Sequence, residues 1–156
     1  MLRNHQWLEN QLDFLLKKYF GDLSISTPIE IKFGREAKYR FGSIRLYKPR
    51  SHLRGVKLFS PRRWKSSQPQ KSVITITSLF AKQDVLAKVV QYTIAHEICH
   101  YHHGFSSANR RLFKYPHHGG VVNNELTRRG ADDLISAYKK WLKIYRKKIL
   151  KGKISV

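Results

Sequence analysis

The stretch VITITSLFAKQDVLAKVVQYTIAHEICHYHHG, residues 73–104, joins two different periodicities, and reading it sets the fold class. Over 73–78 aliphatic positions alternate with threonine, and β-branched residues dominate, which is the pattern of a strand. Beyond it Leu86, Val89, Val90 and Ile94 recur at helical spacing. The pattern predicts a buried helix over 83–102. Asp84 falls in its first turn, where an acid suits the helix dipole, and Gly104 supplies a stop. A strand running directly into a buried helix calls for a second layer to cover both.

Within that helix residues 96–100 read HEICH. Residues four apart on an α-helix differ in direction by only about 40°. His96 and His100 therefore face the same way, one turn apart, and two imidazoles at that spacing can close on one zinc ion. Glu97 is offset around the helix, where it can reach a water on the open side of the metal and act as a base. Histidines and a glutamate on a buried face are costly without partners, and a zinc ion is such a partner. Cys99, the chain's single cysteine, lies close in direction to His96, but a lone cysteine on such a helix reads as a small core residue.

A catalytic zinc needs a third protein ligand and an open fourth position. His103 shares the face of His96, but seven residues along the helix is about 10 Å, too far to converge on one ion. His102 and His103 read as polar residues at a helix end. The third ligand must return from a later segment, and the candidates are His117, His118 and Glu125.

Outward from this stretch, Trp7, Leu8, Leu12, Leu15, Leu16 and Tyr19 predict a helix over about 3–19, ended by Gly21 and Pro28. IEIKF (29–33) and YRFGSIRLY (39–47) alternate as strands. Four prolines and glycines between Lys48 and Lys71 predict a loop, with a short strand at 56–59. FSSANRRLFKYPHH (105–118) is irregular. From Gly120 the pattern is helical again, with Leu134, Tyr138, Trp141 or Leu142, Tyr145 and Ile149 in one stripe. The expectation is a single α+β domain over 1–156. It has an N-terminal helix, a small mostly antiparallel sheet, the HExxH helix and a long C-terminal helix with a basic extension from about 139.

The 156 residues carry 31 Lys and Arg against 10 Asp and Glu, a formal net charge of +21. No acid lies between Glu36 and Asp84, and Arg62, Arg63 and Lys65 sit there among Tyr47, Phe59 and Trp64. A field this one-sided exceeds what solubility requires and points to a polyanion, most simply non-specific DNA. One cysteine allows no internal disulfide, and no apolar run is long enough for a signal peptide or a membrane span. The expected setting is soluble and cytoplasmic, nucleoid-associated or nuclear if DNA-bound.

The chain resembles the SprT-like (Spartan-like) zinc metalloproteases over roughly 8–142. The resemblance is carried by a helix ending in KKYFGDL, the strand IEIKF, the glycine-containing YRFGSIRLY, the strand VITITS, then VVQYTIAHEICH and a His-Gly pair opening a later helix. It implies His96 and His100 as zinc ligands, Glu97 as the catalytic base and His118, followed by Gly119, as the third ligand. It also implies an endopeptidase acting on DNA-associated or DNA-crosslinked proteins. The residues depart from the family in a long 101–117 segment and in Val121 and Val122, where an aromatic is usual. NNELTRRGADD (123–133) offers a rival, gluzincin-like reading in which Glu125 is the ligand. Two other functional classes stand beside these: a non-enzymatic nucleic-acid-binding protein with a structural zinc, and a hydrolase of a small amide.

Overall fold

The computed structural model describes residues 2–47 and 70–154. The strand expected at 56–59 and the proposed nucleic-acid contacts Arg62, Arg63 and Lys65 lie outside the described residues. The elements run α1 (His5–Tyr19), β1 (Ile29–Gly34), β2 (Gly42–Tyr47), β3 (Lys71–Thr77), a 3-10 turn (Ser78–Ala81), α2 (Ala87–His102), α3 (Val121–Arg128) and α4 (Asp132–Ile154). The domain is α+β, with helices at both ends of the chain.

The three strands form one sheet in the order β1-β3-β2. β3 pairs parallel with β1 and antiparallel with β2, so the sheet is mixed rather than mostly antiparallel. Alternation identifies a strand but not its neighbour, and here the last strand inserts between the first two. Ile31, Ile74 and Ile44 form one rung across the sheet, and Phe33, Ile76 and Gly42 form the next rung on the same face. Ile74 and Ile76 are fully buried, and each such side chain contributes about 1.5–3 kcal/mol by leaving water.

α2 is the central element, touching α1, β2, β3, α3 and α4. Eleven of its 16 residues are buried, which is why its sequence reads apolar on nearly every side. Tyr101, near its end, is fully buried; its hydroxyl accepts from Thr27 N at 2.9 Å and donates to Thr27 O at 2.7 Å. That pair fastens the segment leading into β1 to the helix that carries the histidines.

α2 begins at Ala87, four residues later than the pattern predicts. Leu86 stays extended at φ −57° and ψ 138°, and just before it the Arg3 guanidinium donates to the carbonyls of Phe80 (3.1 Å), Lys82 (3.3 Å) and Val85 (2.6 Å). These carbonyls serve a side chain from the N-terminus, and Asp84 sits in a turn beside Arg3 instead of in the helix. The helical region after Gly120 is likewise two helices. Gly130 adopts φ +76°, a conformation open to glycine at little cost, and separates α3 from α4.

Candidate metal centre and cleft

His96 and His100 project from α2 with ring centroids 4.7 Å apart. A third imidazole joins them, and it is that of His117, with its centroid 5.4 Å from His96 and 4.6 Å from His100. One nitrogen from each of the three lies within 4.8 Å of the others. His118, the expected third ligand, is exposed and turned towards Tyr115, with ring centroids 6.2 Å apart. The difference is one residue of register. His117 stands just before the single 3-10 turn His118–Gly120, at φ −120° and ψ 0°, and adjacent residues entering such a turn point their side chains in different directions.

Glu125 does not join the group either. Its carboxylate accepts from Arg128 Nη2 at 2.6 Å and from Arg129 Nε at 2.7 Å, and His102 Nε2 is 3.6 Å away. It is a salt-bridge hub holding α3, not a free ligand. Cys99 is fully buried, its thiol pushed well above the usual range by burial, as a core residue should be. His103 caps the end of α2, as its sequence position suggests, and is only 1% exposed. The 105–113 segment folds back over the helix end, Leu112 N donating to His103 O and the Phe113 ring packing on the imidazole at 4.7 Å.

The return of His117 depends on how that same loop is tied. Phe105 N donates to His100 O at 3.0 Å, Ser107 Oγ to Tyr101 O at 2.7 Å and Ser106 Oγ to Ile44 O at 3.2 Å. Ser72 Oγ donates to Ser106 O at 2.6 Å, so β2, β3 and the end of α2 all anchor it. Polar side chains at 106 and 107 therefore convert an irregular stretch into a defined path back to the helix.

The donor set suits zinc. Burial, reinforced by the neighbouring histidines, pulls the pKa of His96 down to about 3 and that of His100 to about 4. Both are neutral imidazoles with lone pairs to offer at neutral pH, as metal ligation requires. His100 Nδ1 is buried without a hydrogen-bond partner among the described residues, a costly state that it shares with His103 Nδ1 outside the group. Among the described residues three nitrogens come together, and the third ring, that of His117, is solvent-exposed.

The three histidines border a cleft of about 510 Å³ whose walls include Arg40, Gly42, Glu97, Phe105 and Tyr138. Glu97 is 6% exposed, and burial raises its carboxyl pKa to about 7 against the opposing pull of Arg40. Gly42 is the residue that makes room for it. A Cβ built there would stand 2.7 Å from Thr93 Cγ2 and 2.8 Å from Glu97 Oε1. A glycine inside the strand pattern of 39–47 signals such a close approach. Arg40, Phe105 and Tyr138 carried no comparable signal in the sequence, since only the packing of β2, the loop and α4 against α2 gathers them. No family model, curated protein or solved structure matches the chain.

Proposed function

We propose that the protein is a zinc-dependent endopeptidase of SprT-like type that acts on proteins associated with nucleic acid. The observation that carries this reading is the grouping of His96, His100 and His117 beside Glu97 on one open cleft. Zinc held by the three imidazoles would supply a Lewis acid that polarises a carbonyl and acidifies a water. Glu97 takes the proton as the water oxygen bonds to the carbonyl carbon, and its carboxyl then protonates the departing amide nitrogen as the C–N bond breaks. Arg40, on the same wall, favours the ionised form of Glu97. A purely structural zinc would call for a fourth protein ligand, and the described residues bring only three together.

The nucleic-acid half of the reading rests on charge. The +21 formal charge has a concentrated stretch on α4, where Lys139, Lys140, Lys143, Arg146, Lys147 and Lys148 are all exposed. α4 also contributes Tyr138 to the cleft wall, so DNA on this helix would hold its bound proteins beside the site. No helix among the described residues is long and apolar enough to cross a membrane. The setting we infer is the cytoplasm, at the nucleoid or in the nucleus when DNA is bound.

The test is cleavage of a DNA-bound protein by the zinc-loaded chain with and without single-stranded DNA. Cleavage should require zinc, stop on chelation and be stimulated by DNA at low salt only. DNA affinity should fall with salt with a log–log slope of about −0.7 per phosphate neutralised. Absence of DNA binding at low salt would leave a protease without a nucleic-acid role, and absence of zinc in the replete protein would remove the protease. A narrower prediction concerns Gly42→Ala. The added methyl must displace the Glu97 carboxylate or Thr93, so hydrolysis should drop at least about tenfold. Stability should fall by about 1–3 kcal/mol from overpacking, with one zinc per chain retained. Wild-type turnover in that variant would show that the contact does not position Glu97.

A further inference from the structure

A second cavity, of about 350 Å³, adjoins the metal cleft, and Tyr39, Phe41 and Tyr138 line both. Its remaining aromatic and aliphatic wall is Leu142, Tyr145, Ile149 and Leu150 of α4. Among the described residues its charged lining is Lys38 and Arg146, with no carboxylate. The shared wall is closely packed at Phe41, whose ring meets Phe80 at 5.3 Å, Trp141 at 5.2 Å and Tyr145 at 5.5 Å. Phe41 is also the chain neighbour of Gly42, which abuts Glu97. The cavity wall thus stands one residue from the contact that seats the catalytic carboxylate.

We infer that this cavity binds a large apolar side chain of the peptide substrate, one or two residues from the bond that is cut, with an acidic residue favoured beside it. The inference rests on the endopeptidase reading and names the substrate feature that reading leaves open. Continuity selects the occupant, since a peptide lying in the metal cleft passes the cavity along Tyr39, Phe41 and Tyr138. The aromatic and aliphatic lining rewards an apolar side chain, and Lys38 with Arg146 rewards a neighbouring carboxylate.

Binding can be measured apart from turnover, using the zinc-loaded Glu97→Gln protein and two capped peptides, Ala-Gly-Phe-Glu-Ala and Ala-Gly-Ser-Glu-Ala. The phenylalanine peptide should bind at least about tenfold more tightly, the scale of burying one aromatic side chain, and should shift the ring resonances of Tyr138 and Tyr145. Ile149→Arg with Leu150→Arg should abolish that preference. Neither side chain is fully buried, and circular dichroism and zinc content establish that the fold is kept. Equal affinity for the two peptides, or an unchanged preference in the double variant, overturns the inference whether or not the wild type hydrolyses peptides. An oligothymidylate that displaces the peptide and shifts the same two tyrosines assigns the cavity to nucleic acid and overturns it too. A wild type that cuts a mixed peptide pool with no preference for Phe, Tyr, Leu or Met within two residues of the cut overturns it while leaving the protease standing. A wild type that binds the phenylalanine peptide as expected but cuts nothing upholds the cavity and removes the protease.

Discussion

Glu97→Gln should lower peptide hydrolysis by about 10²–10⁴-fold, the usual range for removing a general acid–base group, while zinc binding and fold stay at wild-type levels. The amide has the shape of the carboxyl, so it fills the same space beside Thr93 and opposite Gly42. It can neither accept the proton that the attacking water loses nor return one to the leaving nitrogen. Glu97 is not among the three metal-binding candidates, so ligation by His96, His100 and His117 is untouched. The measurement is single-turnover cleavage of a disordered protein, with zinc per chain determined on the same sample. A variant that cleaves at the wild-type rate would show that some other group moves the proton. A variant that loses its zinc would show that Glu97 helps hold the metal.

His117→Ala should weaken zinc binding by more than about a hundredfold, while His118→Ala leaves it within a few-fold of wild type. Zinc sites of four protein ligands are worth about 10–16 kcal/mol, so one ligand of three is worth roughly 3 kcal/mol or more. The two histidines are adjacent in sequence and both exposed, so charge and chain flexibility are matched between the variants. What differs is direction: the His117 ring stacks on His96 with 22° between planes, whereas His118 faces Tyr115. Competition with a chromophoric chelator reads the two affinities. The reverse order would return the third ligand to His118. Equal retention in both would point to a ligand outside the described residues.

Much of the fold was legible because it depends on local pattern. The β-branched alternation of 73–78, the stripe of α1 and the i, i+4 spacing of His96 and His100 each follow from backbone geometry that any sequence must obey. Element boundaries were less legible where a distant group competed for the backbone. Just before α2, Arg3, more than 75 residues away, donates to three carbonyls at 80–85, contacts that no local pattern records. The neighbours within the sheet were not legible at all, since alternation is the same in parallel and antiparallel strands.

The site divides along the same line. The placement of two of the grouped histidines and of Glu97 was legible in the sequence alone, because the helix that carries them sets their relative directions. The third was decided by the tertiary structure. Its side chain emerges after a 16-residue excursion whose path depends on Ser72, Ser106 and Ser107 finding partners on β2, β3 and α2, and the entry into the turn that begins at His118 separates the directions of His117 and His118. A one-residue change of register in a loop costs nothing in composition or periodicity, so no pattern records it. The apolar cavity beside the cleft has the same origin. Tyr39 and Phe41 precede a strand and Leu142, Ile149 and Leu150 belong to a helix a hundred residues later, and only packing against α2 brings them to one wall.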